Sequence, residues 1–70
     1  MSHAEACARL SPRQRETLIL LGTGFNSKTA AEQIGLSQHT VKRHAKSILE
    51  KLGVPTMTQA AVIAAKANLL

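Results

Sequence analysis

Apolar residues recur along most of this chain at the three- and four-residue spacing of an amphipathic helix, and no segment alternates apolar and polar residues as a strand does. The clearest case is residues 38–52, where a rotation of about 100° per residue sorts the side chains onto two faces. One narrow face is apolar and comprises Val41, Ala45, Ile48 and Leu52. The opposite face carries His39, Lys42, Arg43 and Lys46. This helix is predicted to pack through its apolar face and to hold its cations outward.

Capping residues divide the chain into four predicted helices. Each helix begins at or just after a serine, asparagine or threonine, whose side chain can accept a hydrogen bond from a free backbone amide. The first three end at or near a glycine, which readily takes the left-handed conformation that ends a helix. The predicted spans are 12–22, 28–34, 38–52 and 56–68. Residues 1–9 show only weak helix propensity, so we expect a flexible lead-in or linker end there and the folded domain over 10–70.

A chain of 70 residues has room for one domain with a small core. Hydrophobic residues make up 44%, but Phe25 is the one aromatic residue, so the core is expected to consist of Leu, Ile, Val and Ala side chains. We predict an all-α fold, a compact domain of four helices. The tight connection Gly35-Leu36-Ser37 between the second and third helices predicts a central helix-turn-helix.

The charge balance favours a nucleic-acid partner. Nine Lys and Arg residues against four Asp and Glu give a net charge of +5, which is strongly basic for so small a domain. An acidic membrane surface is the second candidate, but the apolar run at 60–65 is too short to cross a bilayer, which needs about 20 residues. Cys7 is the only cysteine, so no internal disulfide is possible, as is typical of a reducing compartment. His3 and Cys7 are four residues apart, but two ligands do not make a zinc site, and no metal is expected.

The outer face of the third predicted helix suits the major groove of a duplex, which is about 12 Å wide. The candidate base contacts in its N-terminal half are Lys42, Arg43 and Lys46. The candidate phosphate contacts near helix starts are Ser27, Lys28 and Thr40. Arg43 can hold a guanine through two hydrogen bonds, whereas a lysine acts as a point donor. The alternative is an ordinary solvated helix face, with Thr40 merely supporting its own helix start.

Three segments of the chain resemble a known family: LSPRQRETLILL, NSKTAAEQIGLSQHTVKRHAKSILEKLGV and TQA. They are similar to the LuxR-type (GerE-type) DNA-binding domain of bacterial transcription regulators, over Leu10 to about Ala65. The resemblance implies that the second and third helices bind DNA and that the fourth makes a dimer contact. It implies base-facing positions for Lys42, Arg43 and Lys46, and positions at or near phosphates for Lys28, Thr40 and His44. His44 also lies on the flank of the apolar face, so simple packing there is the alternative.

A second apolar side of the last predicted helix is the candidate dimer surface. Val62 and Leu69 lie on this side near Lys66, and the resemblance implies that a second copy covers them. The predicted interface comprises Val62, Ala65, Lys66 and Leu69. Single exposed apolar residues are common on protein surfaces, so a plain surface is the alternative.

The chain departs from the family pattern at positions that bear on packing and on phosphate contact. The family usually has Glu where Gln14 stands and Arg where Met57 stands. We hypothesise that neutral packing has replaced an ion pair between the first and last predicted helices. Ser27 stands where the family usually has Asn, which affects phosphate geometry rather than the fold.

These features predict a sequence-specific, double-stranded DNA-binding regulator of bacterial transcription, cytoplasmic and dimerising through the last helix. The alternative is a protein-interaction module of the same fold that docks on RNA polymerase or on a sensor domain. An enzyme is not expected, because the chain has no paired carboxylates, no Cys–His pair with an orienting partner and no phosphate-cradling glycine loop. No cofactor and no small-molecule ligand are expected. The chain is either a stand-alone regulator or the effector end of a longer protein.

Overall fold

Five α-helices joined by short connections make up residues 2–70, the part of the chain that the computed structural model describes. They are α1 His3–Ala8, α2 Pro12–Gly22, α3 Ser27–Ile34, α4 Gln38–Leu52 and α5 Met57–Lys66. Residues 2–70 contain no strand. The predicted all-α class is confirmed, and the four predicted helices correspond to α2, α3, α4 and α5.

Helix α1 is the element that the sequence pattern did not predict. Ser2 accepts a hydrogen bond from the Glu5 amide at 3.1 Å, and the Glu5 carboxylate accepts one from the Ser2 amide at 3.4 Å. Cys7 is buried, and α1 packs against α5 and α4. Residues 3–8 are therefore a packed helix where a flexible lead-in over 1–9 was expected; Met1 lies outside the described residues. A helix of six residues is too short to show a periodic pattern, and its Ser2–Glu5 capping box was overlooked.

The predicted capping residues start the other four helices. Ser11, Asn26, Ser37 and Thr56 each accept a hydrogen bond from the amide three residues ahead, at 2.9 to 3.3 Å. Helix α5 ends at Lys66, two residues before the predicted end. The reason is Asn68, which has φ 62° and allows the Leu69 amide to bond back to the Ala64 carbonyl at 2.9 Å.

Two small apolar clusters hold the helices together. The first comprises Leu10, Leu18, Ile48, Ala60 and Ala64, and the second comprises Ala30, Ala31 and Val41. Helix α4 contributes a fully buried side chain to each cluster, Val41 near its start and Ile48 two turns later. Each such side chain contributes about 1.5 to 3 kcal/mol through burial, so α4 is anchored along most of its length.

Candidate nucleic-acid interface

A three-residue connection joins α3 to α4. Gly35 has φ 68°, a left-handed conformation that glycine adopts without a steric penalty. The Leu36 amide donates to the Ala31 carbonyl at 3.1 Å, and Ser37 then accepts the Thr40 amide at 3.1 Å to start α4. Leu36 packs against the buried cluster that α3 and α4 share. The two helices thus form the predicted helix-turn-helix, and their shared packing fixes one against the other.

Three cations lie together on the outer side of α4. Lys42, Arg43 and Lys46, which we call the basic face, are all exposed, while Val41 and Ile48 on the other side of the helix are fully buried. Within residues 2–70, no salt bridge or side-chain hydrogen bond engages any of these three side chains. Their charges are therefore available to an external anion, and the burial of the opposite side leaves them no inward alternative.

The basic face ends at Glu50, a residue that the sequence reasoning passed over. Glu50 is exposed and lies four residues, about one turn, after Lys46 on the same side of α4. A carboxylate at this position repels a phosphate backbone. The continuous positive surface of α4 is therefore limited to about the first three turns of the helix.

The candidate phosphate contacts lie at the starts of α3 and α4. Ser27 is half-buried and Lys28 is exposed, both in the first turn of α3. Thr40 is half-buried, and its hydroxyl oxygen accepts a hydrogen bond from the Ser37 hydroxyl at 2.9 Å. The Thr40 hydroxyl hydrogen remains able to donate to a phosphate oxygen. The positive end of each helix dipole adds a favourable field for an anion.

The two histidines of α4 differ in burial. His39 is exposed near the helix start, whereas His44 is half-buried between the apolar side and the basic face. A half-buried imidazole can pack through its ring and still present one nitrogen to solvent. The position of His44 is thus compatible both with packing and with a phosphate contact.

Helix α5 exposes an apolar surface on its outer side. Val62 is 50% exposed, and Ala65 and Lys66 are also exposed; we call these three residues the α5 face. Leu69, the fourth residue of the predicted interface, is half-buried and packs against the first apolar cluster. Leu70 is the more exposed of the two terminal leucines, at 44%. The left-handed Asn68 turns the chain back before Leu69, whose amide bonds to the Ala64 carbonyl.

Gln14 of α2 makes hydrogen bonds to α4 that the sequence pattern did not predict. It is 8% exposed, and its Nε2 donates to the Ser47 hydroxyl at 3.0 Å. Its Oε1 accepts from Lys51 Nζ at 2.8 Å and from the Ser11 amide at 3.0 Å. Met57 packs against the first apolar cluster. The side chain of Gln14 therefore bonds to α4, and the replacement of an ion pair between α2 and α5 by neutral packing stays a hypothesis.

Other kinds of site find little support in the described residues. Within residues 2–70, no three His, Cys, Asp or Glu side chains come together as a metal site would require. In the same part of the chain, every helix is too short or too polar to cross a bilayer. Burial raises the pKa of the Cys7 thiol, which keeps it protonated and weakly nucleophilic.

Comparison with known proteins identifies a matching family and several relatives. The family model for bacterial regulatory proteins of the luxR family matches residues 8–64. The transcriptional regulatory protein LnrK of Bacillus subtilis is 43% identical over 53 residues, which cover 76% of this chain and 24% of LnrK. The response regulator protein VraR of Staphylococcus aureus is 36% identical over 67 residues, which cover 96% of this chain and 32% of VraR. The chain thus spans a quarter to a third of the length of these relatives.

Proposed function

Because the chain belongs to the luxR family of bacterial regulatory proteins, we propose that α3 and α4 bind double-stranded DNA in a sequence-specific manner, with α4 in the major groove. Membership of this family makes the chain a DNA-binding domain of transcription regulation. The observation that carries the groove assignment is the basic face, whose three cations are exposed and unpartnered in the described structure. An α-helix with its side chains is about 10 to 12 Å across and fits a groove about 12 Å wide.

The proposed division of roles follows from geometry and side-chain chemistry. The base readers are Lys42, Arg43 and Lys46, and each well-placed base contact contributes about 1 to 3 kcal/mol of discrimination. The phosphate contacts are Ser27, Lys28, Thr40 and His44. Phosphate contacts supply most of the affinity and make it fall as salt rises, because binding releases counterions from the DNA.

We further propose that two copies bind together through the α5 face. Val62 is an apolar side chain that is half exposed, Ala65 beside it is small, and Lys66 lies at the edge of the patch. Two copies related by a two-fold axis would place their α4 helices in successive major grooves, about 34 Å apart. Leu69 is the fourth residue of the proposed interface, and its half-buried side chain also packs against the first apolar cluster.

The remaining assignments follow from the proposed role. The protein would act in the bacterial cytoplasm, where the chromosome lies, and RNA polymerase is a further candidate partner. The chemistry of regulation needs no catalytic group and no cofactor in this domain. The longer relatives, one of them a response regulator by name, suggest that in a longer protein a second domain would control DNA binding.

Selection of bound duplexes from a random pool tests the proposal. We expect enrichment of two related half-sites, inverted and about 10 base pairs apart. Arg43→Ala should then relax the preference at one base-pair position, while Lys28→Ala should weaken binding about equally on the selected and the random duplex. Recovery of no preferred sequence, or equal effects of both variants on both duplexes, would reject the assigned roles.

A further inference from the structure

We infer that Gln14 and Lys51 are positioning residues for DNA readout, and that Lys51 does not contact DNA. The inference deepens the proposed function and rests on it, since positioning matters only if α4 reads bases. It assigns a role to a cation of α4 that lies outside the basic face. The inference rests on the buried side-chain amide of Gln14, which bonds to two successive turns of α4.

The first step is that the nitrogen and the oxygen of the Gln14 side-chain amide both bond to α4. Ser47 and Lys51 are four residues apart and lie on the same side of α4. Ser47 accepts from Gln14 Nε2 at 3.0 Å, and Lys51 donates to Gln14 Oε1 at 2.8 Å. Gln14 is itself held by its own helix start, since Oε1 also accepts the Ser11 amide at 3.0 Å. The bond to Ser11 therefore restrains the side-chain amide of Gln14 in the position from which it bonds to α4.

The second step is what these bonds add to the apolar packing. Contacts of Leu, Ile and Ala side chains are not directional, so directional hydrogen bonds add to the restraint that the packing of the two clusters places on the rotation of α4. Hydrogen bonds to two turns of α4 oppose rotation about its axis. A rotation of about 10° moves a group about 6 Å from the axis by about 1 Å, which is enough to misalign a two-bond contact between an arginine and guanine.

The third step is the direction of Lys51. It lies nine residues after Lys42, which places it about half a turn around α4 from that member of the basic face. Its Nζ also donates to the Arg9 carbonyl, between α1 and α2, at 3.4 Å. The ammonium thus joins three segments of the protein, whereas the basic-face cations bond to no other segment within residues 2–70. Arg9 contributes its backbone oxygen to this arrangement.

The experiment compares the same substitution at two lysines. Lys51→Met and Lys28→Met each remove one charge and keep an unbranched apolar chain. Dissociation constants are measured for the selected and a random duplex across about 50 to 200 mM salt. We expect Lys51→Met to weaken binding to the selected duplex about 3- to 10-fold more than to the random one, with the salt slope unchanged. Lys28→Met should weaken both alike and lower the slope by about 0.9.

Two further variants separate positioning from general loss of stability. Gln14→Glu keeps the acceptor for Lys51 and should preserve the discrimination between the selected and the random duplex. Gln14→Met removes both bonds to α4 and should reduce this discrimination, as Lys51→Met does. In the double variant Gln14→Met, Lys51→Met, the loss should be no larger than in Gln14→Met alone, because that substitution already breaks the bond to Lys51. Thermal unfolding of each variant, followed by circular dichroism, shows that the domain is folded at the binding temperature.

The outcomes that overturn the inference are distinct from failure of the proposed function. Equal loss on both duplexes with a reduced slope would make Lys51 a phosphate contact. Unchanged discrimination in Lys51→Met and Gln14→Met would leave the link without a role in readout. If the wild-type domain bound no DNA, the proposed function would fail. A double-mutant cycle on the free energy of unfolding would then show whether Gln14 and Lys51 are coupled. Additive effects of the two substitutions would reject the link between these residues as well.

Discussion

The two ends of α4 use their lysines in opposite ways. Near the start, Lys42 and Lys46 are exposed and bond to nothing within the described residues. Near the end, Lys51 donates to Gln14 and to a backbone carbonyl, and Glu50 interrupts the row of cations. Lysines of one helix thus differ in their contacts, because within the described residues only Lys51 finds hydrogen-bond acceptors. A count of basic residues predicts the partner class, whereas the internal bonds distinguish Lys51 from the lysines that bond to nothing within residues 2–70.

The largest expected effect comes from reversing a charge on the basic face. Lys46→Glu removes a proposed base contact and places a carboxylate against the duplex, so affinity for the selected sequence should fall by more than about 100-fold. Fluorescence anisotropy with labelled duplex measures the change. Lys46→Met is the matched control for loss of charge alone and should fall less. A Lys46→Glu variant that binds as tightly as wild type would remove the start of α4 from the interface.

The next effect tests the apolar support of the basic face. Val41→Ala deletes two methyl groups from a site that is 0% exposed, and should lower the free energy of unfolding by about 2 kcal/mol. Val62→Ala is the same substitution at a side chain that is 50% exposed, and should cost less than about 0.5 kcal/mol. Urea unfolding measures both at a concentration where the domain is monomeric. Similar losses at the two sites would contradict the assigned burial.

The smallest expected effect is a gain in DNA affinity from a substitution near the end of α4. Glu50→Gln removes the carboxylate that follows the basic face and should strengthen binding to selected and random duplex alike, by about 2- to 3-fold at low salt. The gain should shrink as salt rises, because the carboxylate acts through an exposed charge. Glu32→Gln, in the exposed part of α3, gives a reference for a change in net charge elsewhere. Equal gains from both variants would show that only the net charge matters.

Much of the fold was predictable because its signals are local. The four capping residues before α2, α3, α4 and α5 sit at the predicted starts, and the apolar and basic sides of α4 are as the periodicity indicates. Helix α1 was missed because its one turn and a half carries no period. The half-burial of Leu69 was not predictable, because it depends on the left-handed Asn68, a conformation that asparagine permits but does not impose.

The candidate site was likewise predictable where its signals are local. The basic face follows from spacing within one helix, so Lys42, Arg43 and Lys46 could be grouped from the sequence alone. The bond between Gln14 and Lys51 joins residues 37 positions apart in different helices, and no local pattern reports it. The role of Lys51 depends on that bond, so its difference from the other lysines appears only in the folded chain.

The most direct test of the central claim is a nuclear magnetic resonance titration of the ¹⁵N-labelled domain with the selected duplex. We expect the largest shifts at amides in the first turn of α3 and the first three turns of α4, and at the Arg43 guanidinium, with little change around Gln14 and Lys51. Shifts centred on α1 or on the end of α4, with the basic face unperturbed, would contradict the account.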